Sequence, residues 1–168
     1  RSCHDAIQRV NKHIMADKVN YILDADIKGF FDNLDHEWMI KFLEHDIADK
    51  NFIRYIKRFL IGGVMEDGKR LDTEAGTVQG GLISPVLANV YLHYTLDTWF
   101  DYVKKHEFKG EMYMVRYADD FVCLFQYENE AQRFYQLLIE RLRKFGLEIA
   151  EDKSRILPFG RYKGTKES

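Results

Sequence analysis

Two cysteines and two prolines among 168 residues exclude several architectures before any motif is read. Cys3 and Cys123 are too few for a disulfide framework or a cysteine-based metal cluster, and they fit a reducing compartment in which thiols serve as small apolar residues. Proline, glycine and serine never gather into a linker, and there is no repeat or low-complexity tract, so the elements are expected to form one packed unit. No apolar run approaches the roughly 18 residues of a helical membrane span. A dominant charge is missing too: 25 basic and 27 acidic residues leave a formal net charge of −2, whereas a domain that tracks phosphates is usually basic overall. Basic residues do bunch in RYIKRF (54–59), in Lys104-Lys105, in RLRK (141–144) and between Lys153 and Lys166. Such runs read first as solvated helix faces.

What is present is 46% hydrophobic and 14% aromatic residues, enough for the interior of one globular domain. VNYILDADI (19–27) has the branched and aromatic content of a strand, and its period of two puts Ile22, Asp24 and Asp26 on one face. DHEWMIKFLEHDI predicts a helix with Asp35 as N-cap and Glu37 in the first turn, and NFIRYIKRFLI predicts a second. Asp67-Gly68, between two short extended runs in residues 64–76, predicts a hairpin. Ser84-Pro85 predicts a helix start, and VLANVYLHYTLDTWFDYV, apolar on nearly every side, is expected inside the domain. MYMVRY and FVCLF predict paired strands joined by Ala118-Asp119-Asp120. A helix striped by Phe134, Leu137, Leu138, Leu142 and Phe145 follows, with Gly146 at C′ and LEI opening another strand. The order predicts an α+β fold, helices packed on a mainly antiparallel sheet.

The chemistry of interest lies in MVRYADDFVCLF, where two adjacent aspartates interrupt a hydrophobic strand. An ionised carboxylate buried without a partner costs several kcal/mol, so Asp119 and Asp120 either occupy a surface turn or answer to a cation. Asp26, ending a separate apolar strand, poses the same question. Carboxylate-bearing strand ends side by side in one sheet would repel unless divalent cations neutralised them, and oxygen-only ligands with room for phosphates suit Mg²⁺. A metal site accounts for the three acids better than a coincidence of turns. GVMEDGKR imitates a phosphate loop, but Arg70 replaces the hydroxyl that would hold Mg²⁺ and no helix follows. The six histidines, His4, His13, His36, His45, His93 and His106, lack ligand spacing. Asp32 and Asp35 read as turn and capping residues, Asp24 as the partner of a neighbouring Lys or Arg. Arg116 is left to an acidic neighbour or a nucleic-acid phosphate.

DADIKGFFD, GTVQGGLISPVLANVYL, RYADDF and GLEIAEDKSRI occur in the order and spacing of motifs A, B, C and D of reverse transcriptases. Over nearly its whole length the chain most resembles the reverse transcriptases (maturases) of bacterial group II introns, departing at Val78, where that family usually carries Pro before the Gln. The resemblance implies a single fragment, residues 1–168, made of a polymerase palm (mainly 18–32 and 82–160) and parts of the fingers (1–17 and 33–81). It implies an RNA-directed DNA polymerase that adds deoxynucleotides to a primer 3′-hydroxyl with two Mg²⁺ ions. Asp26 and Asp119 would be the catalytic metal ligands with Asp120 adjacent and supporting, and Ile27 would be among the metal-holding positions. Phe31 would crowd the sugar 2′-carbon, Gln79 and Gly80 would touch nucleotide and template, Lys153 would lie near the pyrophosphate, and Tyr117 and Ala118 would complete the nucleotide site. The implied partners are RNA template, DNA primer, deoxynucleotide and group II intron RNA, with no membrane, in a bacterial cytoplasm. RSCHDAI lacks an initiating Met, and the family's triphosphate grip and thumb would lie upstream of Arg1 and downstream of Ser168, so this piece alone is expected to be inactive. The alternatives are a non-catalytic RNA-binding maturase scaffold, or a retron, CRISPR-associated or diversity-generating relative. An RNA-directed RNA polymerase or nucleotidyl cyclase would not predict QGGLISP.

Overall fold

Strand β1 (Tyr21–Ala25) is buried on both its faces in the computed structural model, which describes residues 18–60 and 85–158. It is followed by a short helix α1 (Phe30–Asn33) and by α2 (His36–Asp46) and α3 (Lys50–Phe59). Residues 85–106 form α4, α-helical except for a π-helical turn at His93–Asp97. The hairpin β2 (Met112–Tyr117) and β3 (Asp120–Phe125), the helix α5 (Glu128–Lys144) and β4 (Arg155–Pro158) complete the chain order. The sheet order is β2-β3-β1-β4 with every pair antiparallel, so the α+β class expected from the sequence is the one adopted.

Alternation along the strands divides the core. On the helix-covered face Leu23, Ala25, Phe121, Cys123 and Phe125 pack with Leu92, Leu96, Phe134, Leu138 and Leu142, and Met39, Leu43, Ile53 and Ile56 of α2 and α3 join the same cluster. On the other face Val19, Ile22, Val122 and Leu124 form a smaller cluster edged by Tyr113 and Val115. Cys123 is fully buried, and burial pushes its thiol well above the usual range, as befits an apolar filler.

The helix ends are set by local chemistry. Asp35 Oδ1 accepts from the N–H groups of Glu37 (2.8 Å) and Trp38 (3.2 Å), and Asp49 caps α3 in the same way at 2.9 and 3.2 Å. At the end of α5, Leu147 N–H donates to Leu142 (2.9 Å) and Gly146 N–H to Arg143 (3.1 Å), a Schellman arrangement with Gly146 at φ 82°. The Tyr91 hydroxyl donates to the Phe145 carbonyl (2.6 Å) and accepts from Asp35 N–H (3.1 Å), joining α4, α5 and α2 at one buried point.

Two expectations are corrected. LEI does not open a strand: Ile149 makes only an isolated bridge to Ile27, and the fourth strand starts at Arg155, after the 3-10 turn Glu151–Lys153. Helix α4 is not enclosed, since Val86 (54% exposed), His93 and Tyr102 (58%) face outward while Leu87, Tyr91, Leu92, Leu96 and Phe100 are buried. One apolar stripe meets the sheet, and polar residues scattered through the run mark the outer side. The expected hairpin at 64–76 and the cap Ser84 lie outside the described residues.

Gly146 sets a stability test. A Cβ there would sit 2.9 Å from the Asn33 carbonyl oxygen, and φ 82° already disfavours any other residue. Gly146→Ala is expected to destabilise the fold by about 1–3 kcal/mol in denaturant titration. An unchanged midpoint would show that the α5 terminus does not lean on residue 33.

Candidate active site

β1 and β3 pair from Tyr21↔Phe125 to Ala25↔Phe121. The register ends there, one residue short of Asp26 on one chain segment and of Asp120 on the other. Residues directly opposite in antiparallel strands have Cα atoms about 4.5–5.5 Å apart. On its other side Asp120 pairs with Tyr117, and Asp26 follows directly on the end of β1, where strand alternation carries it to the face away from the helices. All three are exposed, Tyr117 at 69%. Asp24 stands opposite Val122 and Arg155, so its cross-strand neighbour is basic.

Ala118 and Asp119 are the two central residues of the β2–β3 turn. Ala118 has φ 56° and is the one non-glycine residue with positive φ among those described. A positive φ at the first central position alone is the II′ pattern, which favours glycine there. In the left-handed region alanine carries a cost of about 1–2 kcal/mol. Asp119, at the second central position, is exposed.

The backbone of Asp26 is held from its other side. Its carbonyl accepts from Ala150 N–H (2.8 Å), its N–H donates to Ser154 Oγ (3.1 Å), and that hydroxyl donates to the Ala150 carbonyl (2.8 Å). Lys28 N–H donates to Glu148 (2.8 Å) and Ile27, half-buried, bridges to Ile149. Residues 148–150 therefore back the segment 26–28, and the 3-10 turn brings the exposed Lys153 in just before Ser154.

After this segment Gly29, at φ 36° and ψ 61°, turns the chain out of the strand into α1. Phe30 is buried, its ring 5.8 Å from that of Tyr91, whereas Phe31 stays half-buried with its ring edge-on to Phe30 at 4.8 Å. Gln79 and Gly80 lie outside the described residues.

The donor set suits a hard cation, because Asp26, Asp119 and Asp120 offer oxygen alone. Among the described residues no three His, Cys, Asp or Glu side chains gather closely enough to hold an ion by themselves. Mg²⁺ is commonly held by one or two carboxylates together with waters and substrate phosphates. Ser154 and Asp97 escaped the sequence reading. An aspartate inside an apolar helical run is the available signal for Asp97, and nothing local marks Ser154. Arg116 meets an acidic neighbour, Asp97, with Nη2 to Oδ2 at 2.6 Å.

Ser154→Ala is expected to speed amide hydrogen exchange at Asp26 and to lower stability by about 1 kcal/mol. Equal exchange in the two proteins would remove the hydroxyl from the support of Asp26.

Among known proteins, the family model described as Reverse transcriptase (RNA-dependent DNA polymerase) matches residues 1–165. The chain is 39% identical over 93 residues to the Group II intron-encoded protein LtrA of Lactococcus lactis subsp. cremoris, a match that covers 55% of this chain and 15% of that protein. It is 33% identical over 111 residues to the Uncharacterized 91 kDa protein in cob intron of Schizosaccharomyces pombe, covering 66% and 13%. The apo telomerase of Candida tropicalis has a similar fold, with a TM-score of 0.64 at 12% identity, covering 94% of this chain and 33% of that one. The chain thus spans only a small part of the length of the curated relatives it matches.

Proposed function

Because this chain belongs to the reverse transcriptase family, we propose that it carries the catalytic palm and part of the fingers of an RNA-directed DNA polymerase of a group II intron-like element. The palm comprises mainly residues 18–32 and 82–160, and the fingers portions are 1–17 and 33–81. The reading rests on one observation above the others: the β1–β3 register ends at Ala25↔Phe121, one residue short of Asp26 on one chain segment and Asp120 on the other, beside the turn that presents Asp119.

Asp26 and Asp119 hold Mg²⁺, with Ile27 beside them and Asp120 adding negative charge. When bound, two Mg²⁺ ions supply charge stabilisation for the attacking and leaving oxygens of an in-line displacement at the nucleotide α-phosphate. The chain's own residues position the reactants. Asp26 is fixed through its backbone by Ala150 and Ser154, and Asp119 by the turn, so the carboxylates meet the primer 3′-hydroxyl and triphosphate in a preset arrangement. Gln79, Gly80, Tyr117 and Ala118 line the nucleotide and template, and Lys153 lies by the pyrophosphate. RNA template, DNA primer, deoxynucleotide and intron RNA are the partners, in a bacterial cytoplasm. The 168 residues alone polymerise poorly, because most of the length of the relatives lies outside the matched region and positioning supplies much of the rate in phosphoryl transfer.

Two measurements on the complete natural protein test this. Asp119→Asn is expected to lower primer extension on an RNA template by at least about a hundredfold while leaving the melting temperature close to wild type. If extension persists, the acids are not the catalytic centre. A protein that assists splicing but never extends a primer would belong to the scaffold reading instead.

Phe31 is proposed as the gate against ribonucleotides, its partly buried ring lying at the bend made by Gly29 and packed against the core edge, while Phe30 is buried within it. A clash of a few kcal/mol with a 2′-hydroxyl is worth on the order of a hundredfold in kcat/KM. Phe31→Ala should raise ribonucleotide incorporation and largely spare deoxynucleotide use. A parallel fall in both would return Phe31 to the core.

A further inference from the structure

Arg116 lies on the helix-covered face of the sheet, an expensive place for a charge, with 11% of its side chain exposed. Its guanidinium reaches three residues at once, two on α4 and one in the β2–β3 turn. Nε–H and Nη2–H donate to the two carboxylate oxygens of Asp97 at 2.8 and 2.6 Å. Nη1–H donates to the Ala118 carbonyl at 2.6 Å and to Asn89 Oδ1 at 3.1 Å. A bidentate, charge-assisted pair is the strong and geometrically specific kind.

Both ends of this network sit on unusual backbone. Asp97 closes the π-helical turn His93–Asp97 of α4, and π turns inside α-helices re-aim side chains and are frequent at functional sites. Ala118 holds a positive φ that alanine does not choose for itself. Packing alone would explain a salt bridge between α4 and β2. It would not explain why the guanidinium spends its remaining donor group on the carbonyl of Ala118, the one non-glycine residue with positive φ among those described, immediately before Asp119.

We infer that Arg116, anchored by Asp97 and steadied by Asn89, is a positioning residue that clamps the Ala118-Asp119 turn in its left-handed conformation and so fixes the Asp119 carboxylate. Its consequence for catalysis rests on the polymerase reading; its geometry does not. Neither Arg116 nor Asp97 touches the reactants. They act through the Ala118 carbonyl.

Glycine adopts positive φ freely, so Ala118→Gly removes the need for a clamp and separates positioning from packing. The complete natural protein would be compared as wild type, Arg116→Gln and the near-isosteric Asp97→Asn, each with and without Ala118→Gly. The readouts are hydrogen–deuterium exchange over residues 114–122 and steady-state primer extension. Each clamp variant is expected to speed exchange at the turn by about tenfold, and to lower kcat by about ten- to a hundredfold with nucleotide KM changed less than about threefold. Ala118→Gly should slow turn exchange in the clamp variants by at least about threefold and change it less in the wild-type background; because Ala118 belongs to the proposed nucleotide site, its rescue is read in exchange alone. Folded variants with unchanged turn exchange would overturn the inference. So would faster turn exchange that Ala118→Gly leaves untouched, which would make the pair a packing element. If the wild-type protein extends no primer, the polymerase reading falls and exchange with its glycine rescue still decides for or against the clamp.

Discussion

The pairing of β1 with β3 is the constraint on which everything else in the molecule depends. It joins Tyr21–Ala25 to Phe121–Phe125 across almost a hundred intervening residues. Closing so long a loop costs entropy that rises only slowly with length, and the pairing is offset by the burial of Leu23, Ala25, Phe121, Cys123 and Leu124. Side chains alternate along a strand, so a slip of one residue would turn Asp24 and Asp26 toward the helices and lift Leu23 and Ala25 out of the core. Core burial therefore dictates where the acids stand, without any preference of the acids themselves for one another.

Polar ties take over where this apolar pairing stops. Tyr91 is fully buried, and burial holds its phenol well above the usual range, so it stays a neutral donor to the Phe145 carbonyl. Ser154 closes a small ring of bonds with Asp26 and Ala150. Arg116 ties α4 to the β2–β3 turn. Each tie satisfies polar groups that would be costly to leave unpaired, and each ends at or next to an element bearing a proposed site residue. A site assembled on strand ends and one tight turn has few side chains to hold it, so backbone support from outside the turn carries the precision that the proposed chemistry demands.

Much of this was written locally. The cap at Asp35, the αL glycine at Gly146, the paired strands around Ala118-Asp119 and the bend at Gly29 are each decided by residues within a few positions of one another, which is why periodicity and turn chemistry reveal them. The branched residues of LEI suit a strand and a backing segment equally well, and what stops a longer ladder is the turn at Glu151–Lys153 and the Ser154 hydroxyl. Helix α4 was misjudged because an apolar residue such as Val86 does not reveal which side of a helix the sheet will occupy.

Most element types, most of their ends and the α+β class follow from side-chain period and backbone preference over short spans of the sequence. The register that brings the end of β1 beside the start of β3, the pairing of Arg116 with Asp97 rather than with a phosphate, and the hold of Ser154 on the backbone of Asp26 appear only in the folded chain. Those are contacts between residues 19 to 128 positions apart. No local preference encodes them, and they exist only once the shared core has set the strand register and the facing of the helices.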